Sequence, residues 1–324
     1  MNPLRVFFFG TADLACASLA ALAGDSSYQI VGVVTQPDRP RGRALQLAPP
    51  PVKVTAQRLG LDVTQPEKCR RPEFVESVRA ARPDVIVVAA YGQILPPSLL
   101  NAAPHGGVNV HASLLPRHRG AAPIQWAILE GDAETGVTIM RMDAGLDTGP
   151  TLSRESTPIT PDDTAQSLHD RLARMGADLL LRTLPGYVRG EIRPQPQPET
   201  GATYARKITR EDGRLDWSRP AAEVVNRVRG LTPWPGTFTH LPAEPRPLLL
   251  KVWDVRIDER CGAVPGAVLS AGAGELVVAC ADRSLRLLEV QREGGRRLKA
   301  AEFLAGCPLP PGTVLGGEPG SSGA

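Results

Sequence analysis

Apolar residues in the first half of the chain come in short, nearly unbroken runs: Leu4 to Phe9, Ile30 to Val34, Asp84 to Ala90 and Gly107 to Ala112. Such runs suit strands covered on both faces, as in a parallel sheet. Between them, residues 12–23, 52–59 and 72–81 carry helical spacing, and Pro72 suits the first turn of the last stretch. Strands alternating with helices predict an α/β chain built on a parallel sheet. A further helix is expected over 122–130, then a strand pair over 135–159. A long helix over 162–184 has Leu168, Leu172, Met175, Leu179 and Leu180 on one side, with Asp162 or Asp163 as its N-cap.

The pattern changes near residue 189. The segment Arg189 to Thr200 alternates prolines with polar residues and reads as an extended linker. Beyond it, short strand-like pieces separated by glycine-containing turns predict a small β-barrel with one helix near 220–229. The expected division is a first domain over 1–188, a linker over 189–205, a second domain over 206–316 and a disordered tail over 317–324.

Composition narrows the class. The hydrophobic fraction of 42% is ordinary for a globular protein, and no apolar run approaches the ~20 residues that span a bilayer. The N-terminus resembles a first strand more than a leader peptide. Five scattered cysteines without C-x-x-C spacing argue against a disulfide scaffold and a thiolate zinc site, and point to a cytoplasmic protein. The five histidines show no ligand spacing either, so no metal is expected. The net charge is +3; residues through Ala205 balance at 20 basic and 20 acidic, and the remainder holds 17 and 14. The basic excess therefore lies in the C-terminal part, a sign of a polyanionic partner. The first turn, FFFGTADLA, lacks G-x-G-x-x-G, and no phosphate-binding G-x-x-x-x-G-K-[ST] follows, which disfavours dinucleotide and ATP chemistry.

Chemistry concentrates in Gly106 to Gln125. In Val108-Asn109-Val110-His111, the Asn and the His are two residues apart on a strand and share a face. Open α/β sheets place ligands at the carboxyl ends of such strands. Downstream, MDAGLDTGP supplies Asp143 and Asp147, and either carboxylate could fold back to a histidine. Asn, His and Asp together suit attack by an amine on an acyl carbon. The amide stabilises an oxyanion, the imidazole moves a proton and the carboxylate orients the imidazole. Ser113 lacks a G-x-S-x-G elbow, which disfavours a serine hydrolase. His118 reads as an exposed loop residue without a catalytic role.

The run NVHASLLPRHRGAAPIQ, with MDAGLDTG downstream, resembles the formyltransferases that use 10-formyltetrahydrofolate. The likeness extends over about 4–306 and includes FFGTADLA, VVTQPDRPRGR, DVIVVAAYGQILP, TYARKIT, LTPWPGTF and GGRRLKAAEFLAG. The C-terminal pieces resemble the members that formylate initiator methionyl-tRNA.

The resemblance implies a Rossmann-like parallel-sheet formyltransferase domain followed by an OB-like β-barrel. It implies Asn109, His111 and Asp147 as catalytic residues, Asp143 as a loop residue, and Ser113, Leu114, Leu115 and Pro116 as the folate wall. It further implies initiator methionyl-tRNA as partner and a monomeric enzyme. Arg39, Arg41 and Arg43, in a long loop over 36–51 without secondary structure, would contact the tRNA acceptor end. Arg296, Arg297 and Lys299 on the barrel, part of a basic run that opens with Arg292, would form a platform for the RNA backbone. Three other readings stay open: formyl transfer to a small amine, hydrolysis of the formyl-folate, and a non-catalytic RNA-binding protein. The intact Asn109, His111 and Asp147 speak against the last.

Overall fold

A computed structural model describes residues 2–41, 46–243, 246–272 and 274–316. They form two compact units. The first takes the described residues within Met1–Pro123, Glu134–Pro158 and Leu168–Arg206; the second takes those within Ile124–Ala133, Ile159–Ser167 and Lys207–Ala324. Arg43 and the tail expected to be disordered lie outside the described residues.

In chain order the protein runs β1 (Leu4–Gly10), α1 (Asp13–Gly24), β2 (Tyr28–Val34), β3 (Arg39–Arg41), β4 (Gln46–Ala48), α2 (Pro51–Arg58), β5 (Val63–Thr64), α3 (Pro72–Ala80), β6 (Val85–Ala89) and α4 (Pro97–Leu100). It continues with β7 (Gly107–His111), β8 (Arg119–Gly120), α5 (Pro123–Leu129), β9 (Glu134–Arg141), β10 (Thr151–Pro158), α6 (Ala165–Val188) and β11 (Tyr204–Ala205). Seven strands form one sheet in the order β10-β9-β7-β6-β1-β2-β5. The five from β7 to β5 are parallel, while β9 runs antiparallel to β7 and β10 antiparallel to β9.

Burial explains the apolar runs. Every residue of β6 is buried, and Val6, Phe8 and Phe9 of β1 are fully enclosed. One face packs Phe7, Phe9, Ile86 and Val88 under Val75 and Val78 of α3 and Leu99 and Leu100 of α4. The Phe9 ring meets Tyr91 and Phe74 edge-on, at centroid distances of 5.2 and 6.3 Å. The Phe7 ring fills the space beside Gly32, where a Cβ would lie 2.5 Å from it. Burial also pushes up the ionisation of the Tyr91 hydroxyl.

Two local expectations are corrected. The 36–51 loop carries a small antiparallel hairpin, with Arg39 opposite Ala48 and Arg41 opposite Gln46. Pro40 is tolerated because a two-stranded ribbon leaves it on an edge. The long helix is capped by Thr164, not by Asp162 or Asp163. Thr164 Oγ1 accepts from the Ser167 amide at 3.2 Å, and Ser167 Oγ accepts from the Thr164 amide at 3.0 Å. Asp163 instead accepts from the Thr160 amide and hydroxyl, closing the preceding turn.

In the second unit, α7 (Ala221–Gly230) precedes β12 (Thr237–Leu241), β13 (Leu248–Asp258), β14 (Val268–Gly272), β15 (Glu275–Ala279), β16 (Ser284–Arg292), β17 (Leu298–Lys299) and α8 (Ala300–Gly306). The strands form an antiparallel sheet in the order β12-β13-β16-β15-β14, with β17 added on β16. Its core joins Leu250, Val252, Leu276, Leu285 and Leu287 to Val224 and Val228 of α7 and Phe303 of α8. No helix among the described residues is long and apolar enough to cross a membrane.

Phe9 marks the centre of the first core. Phe9→Ala should cost about 3–5 kcal/mol in urea denaturation, whereas Ile94→Ala, at a residue 78% exposed, should change stability by less than about 0.5 kcal/mol.

Candidate active site

Strand β7 is buried along its whole length. Val108 and Val110 point to one side, Asn109 and His111 to the other. The strand lies between β6 and β9, with Asn109 opposite Val88 on one neighbour and Met140 on the other. Burying an amide and an imidazole there requires polar partners.

Those partners come from loops at the carboxyl end of β7. The Asn109 amide donates to Asp147 Oδ1 at 3.2 Å, and the Gly120 backbone N–H donates to Asp147 Oδ2 at 2.9 Å. His111 Nδ1 lies 3.6 Å from the same Oδ2, with the imidazole only 6% exposed. The other ring nitrogen, Nε2, sits 2.9 Å from the His118 carbonyl oxygen. A carbonyl only accepts, so Nε2 bears the proton and Nδ1 is the nitrogen left to exchange one. The Asp147 carboxylate thus joins Asn109 and Gly120 by hydrogen bonds and stands beside His111 Nδ1. The Asp147 backbone is left-handed, with φ +54°, a conformation that aspartate reaches more readily than most residues. Asp143, the other acidic residue of the loop, braces the turn, accepting from the Gly145 amide and the Thr148 hydroxyl.

The segment expected to wall a folate divides in two. Ser113 and Leu115 are fully buried. The Ser113 hydroxyl donates to the Arg117 carbonyl at 2.7 Å, and its own carbonyl accepts from Thr138 at 2.7 Å. The Leu115 amide also donates to Thr138, and its carbonyl accepts from Arg154. Leu114 and Pro116 keep partial exposure and form the outward surface of the segment.

Arg39 is exposed on the β3–β4 hairpin, whose base is pinned at Asp38. Hydrogen bonds from Gln65 and from the Lys53 ammonium hold the Asp38 carboxyl below the usual carboxylate range. Arg41 ends β3. In the second unit Arg292, Arg296, Arg297 and Lys299 are all exposed. The Arg297 guanidinium stacks 4.1 Å from the Trp253 ring centre, with Lys251 Nζ 5.3 Å from the same ring.

Several residues of the site escaped the sequence reading. His118 was expected to be exposed, but it is 2% exposed with φ +58°, because its carbonyl must reach His111. Gly120 holds Asp147 through a backbone group, which no side-chain pattern announces. Arg119, a charged residue of β8, is 2% exposed, and its guanidinium is met by Gln197. The alternation Pro-Gln-Pro-Gln-Pro did offer a signal, since period two puts Gln195 and Gln197 on one side of an extended chain.

Residues 4–184 match the family model described as formyl transferase, and residues 207–308 match that of the formyl transferase C-terminal domain. Among curated relatives, the methionyl-tRNA formyltransferase of Citrifermentans bemidjiense is 50% identical over 323 residues, covering 100% of both chains. Among solved structures, the N-formyltransferase from Helicobacter canadensis, in complex with folinic acid and dTDP-3-aminofucose, superimposes with a TM-score of 0.65 at 15% identity. The match covers 88% of this chain and 98% of that one. HypX from Aquifex aeolicus, in complex with tetrahydrofolic acid, gives a TM-score of 0.61 at 16% identity over 94% of this chain and 47% of that one. At those identities the two structures speak for the fold.

Gly120 has φ +113°, and a Cβ there would lie 2.8 Å from the Ala205 carbonyl oxygen. Gly120→Ala should therefore cost about 1–3 kcal/mol. Gly190→Ala, also at positive φ but facing open space, should cost about 1 kcal/mol or less. Paired denaturation curves check the difference.

Proposed function

The chain belongs to the formyl transferase family, and from that membership we propose how its residues carry the reaction. The reaction is transfer of the formyl group of 10-formyltetrahydrofolate to the methionine amino group of initiator methionyl-tRNA, giving formylmethionyl-tRNA and tetrahydrofolate. The observation that carries this reading is the full-length identity of 50% with a curated relative of that name. The Asn109–Asp147 hydrogen bond, with His111 Nδ1 3.6 Å from the same carboxylate, supports the chemistry.

Attack of the amine on the formyl carbon creates a tetrahedral carbon bearing a negative oxygen. The side-chain amide nitrogen of an asparagine carries two hydrogens. One hydrogen of Asn109 is engaged by Asp147, and we assign the second to the developing oxyanion. A preorganised donor of this kind contributes ~10²–10³-fold in kcat. The amine must lose a proton as the new C–N bond forms, and His111 Nδ1 is the group assigned to take it. The proton then passes to the folate nitrogen as the old C–N bond breaks. Asp147 holds the Asn109 amide and stands 3.6 Å from the His111 Nδ1 that carries the proton between these steps. The apolar sheet and the buried strand keep bulk water from the group, which strengthens every one of these interactions.

Leu114 and Pro116 supply the exposed surface against which the folate ring would rest. Arg39, Arg41 and Arg43 on the 36–51 loop, with Arg296, Arg297 and Lys299 in the second unit, are assigned to the tRNA backbone. The stack of Arg297 on Trp253 holds a guanidinium outward at low conformational cost.

The test is formyl transfer to initiator methionyl-tRNA, with elongator methionyl-tRNA and free methionine as competing acceptors. A strong preference for the initiator supports the reading. Consumption of the formyl-folate without transfer to any tRNA would move the function to hydrolysis or to a small amine. Asn109→Ala and Asp147→Ala should each lower kcat by ~100-fold or more with folding retained. Arg296→Ala combined with Lys299→Ala should weaken tRNA binding and flatten its log–log salt dependence by about two charges. An unchanged salt slope would remove these two residues from the interface.

A further inference from the structure

We propose that Gln197 is a positioning residue for Asp147, acting with the buried guanidinium of Arg119 as a clamp on the Asp147 loop. The inference rests on the role given to Asp147 above and extends the site to a residue that touches no reacting group.

The observation is a closed ring of contacts within the first unit. Gln197 Nε2 donates to the Asp147 carbonyl at 2.8 Å and to the Gly149 carbonyl at 2.7 Å. Gln197 Oε1 accepts from Arg119 Nε at 3.1 Å and from Arg119 Nη2 at 3.0 Å. Both ends of the amide are therefore committed. A guanidinium can only donate and a backbone carbonyl can only accept, so the amide has one chemically permitted orientation. The next residue after Arg119 is Gly120, whose N–H holds the Asp147 carboxylate. Arg119 and Gly120 pair with Tyr204 and Ala205, which fixes them as a short strand. Gln197 thus grips the backbone of Asp147 from one side, while Gly120 and Asn109 grip its carboxylate from the other.

Three features make this a device for placing a carboxylate. Asp147 sits in a left-handed conformation, which loop residues hold only when their surroundings fix them. Arg119 is a guanidinium only 2% exposed, and such a buried charge needs committed partners. Among the described residues its carboxylate contact is Glu199, which is 89% exposed and 3.9 Å away, so the neutral Gln197 amide is its close partner there. The segment bearing Gln197 is itself secured, because Gln195 and Thr151 exchange backbone hydrogen bonds of 2.8 Å in both directions. The chain from β10 to Gln197 is therefore stiff enough to transmit its placement to the loop it clamps.

The variants are Gln197→Met, which keeps length and removes both polar ends, and Gln197→Glu, which keeps a partner for Arg119 but sets an acceptor against two carbonyls. Each is made in the full chain. Hydrogen–deuterium exchange on the substrate-free protein should show faster exchange across 144–149, with β7 and β13 unchanged. The kcat for formyl transfer should fall about 10–100-fold, the scale of a misplacement near 1 Å. The KM values for tRNA and folate should stay within about twofold. In an Asp147→Ala background, single-turnover assays should show that either Gln197 substitution costs less than about twofold more, because the group it positions is gone. Unchanged exchange across 144–149, unchanged kcat, or an undiminished cost in the Asp147→Ala background would each overturn the proposal. If the Met variant fails to fold, the Glu variant decides the same three outcomes. A wild-type protein that formylates no tRNA would defeat the functional reading; the exchange measurement needs no substrate and would still decide the clamp.

Discussion

The carboxylate of Asp147 is the contact on which the site depends. It accepts from Asn109 and from the Gly120 backbone, and it stands 3.6 Å from His111. Those partners come from a central strand and a two-residue strand. The aspartate comes from a glycine-rich loop between β9 and β10. A negative group shared among them compensates the burial of an amide and an imidazole at the end of an apolar sheet. Without it, two polar side chains of β7 would face the interior with too few partners.

The sheet explains why that group forms where it does. Parallel strands need covered faces, so their carboxyl ends and the loops beyond are where polar residues can gather. Here the loop after β7 turns back so that the His118 carbonyl meets His111 and Gly120 meets Asp147. Two of the backbone outliers, His118 and Asp147, lie in these loops.

Much of this was legible in the residues. The apolar runs marked β1, β2, β6 and β7, and the helical spacing marked α1, α2, α3 and α7 to within a few positions. Asn109 and His111 followed from period two on a strand. The resemblance then distinguished Asp147 from Asp143, and the structure gives the two different work: one accepts from Asn109 beside His111, the other braces a turn. Less was legible in the 36–51 loop, where a hairpin forms from a sequence rich in proline and arginine. The start of α6 was also misplaced, because several adjacent side chains could cap a helix and only the realised hydrogen bonds choose among them. The exposed reading of His118 failed because its main task falls to a backbone carbonyl.

The sequence by itself determined the periodicities, the two textures of the chain and the residue types able to do acyl chemistry. These are local properties, fixed by spacing of two or 3.6 residues and by what each side chain can donate or accept. The tertiary structure decided which groups meet. Asn109 and Asp147 are 38 residues apart, Gly120 and Asp147 are 27 apart, and Arg119 and Gln197 are 78 apart. No local pattern encodes such pairs, because they form only when the sheet order brings separate loops to one end of β7. That is the physical reason Arg119 became the largest buried side chain of the site among the described residues, and a proline-flanked glutamine the partner that holds it.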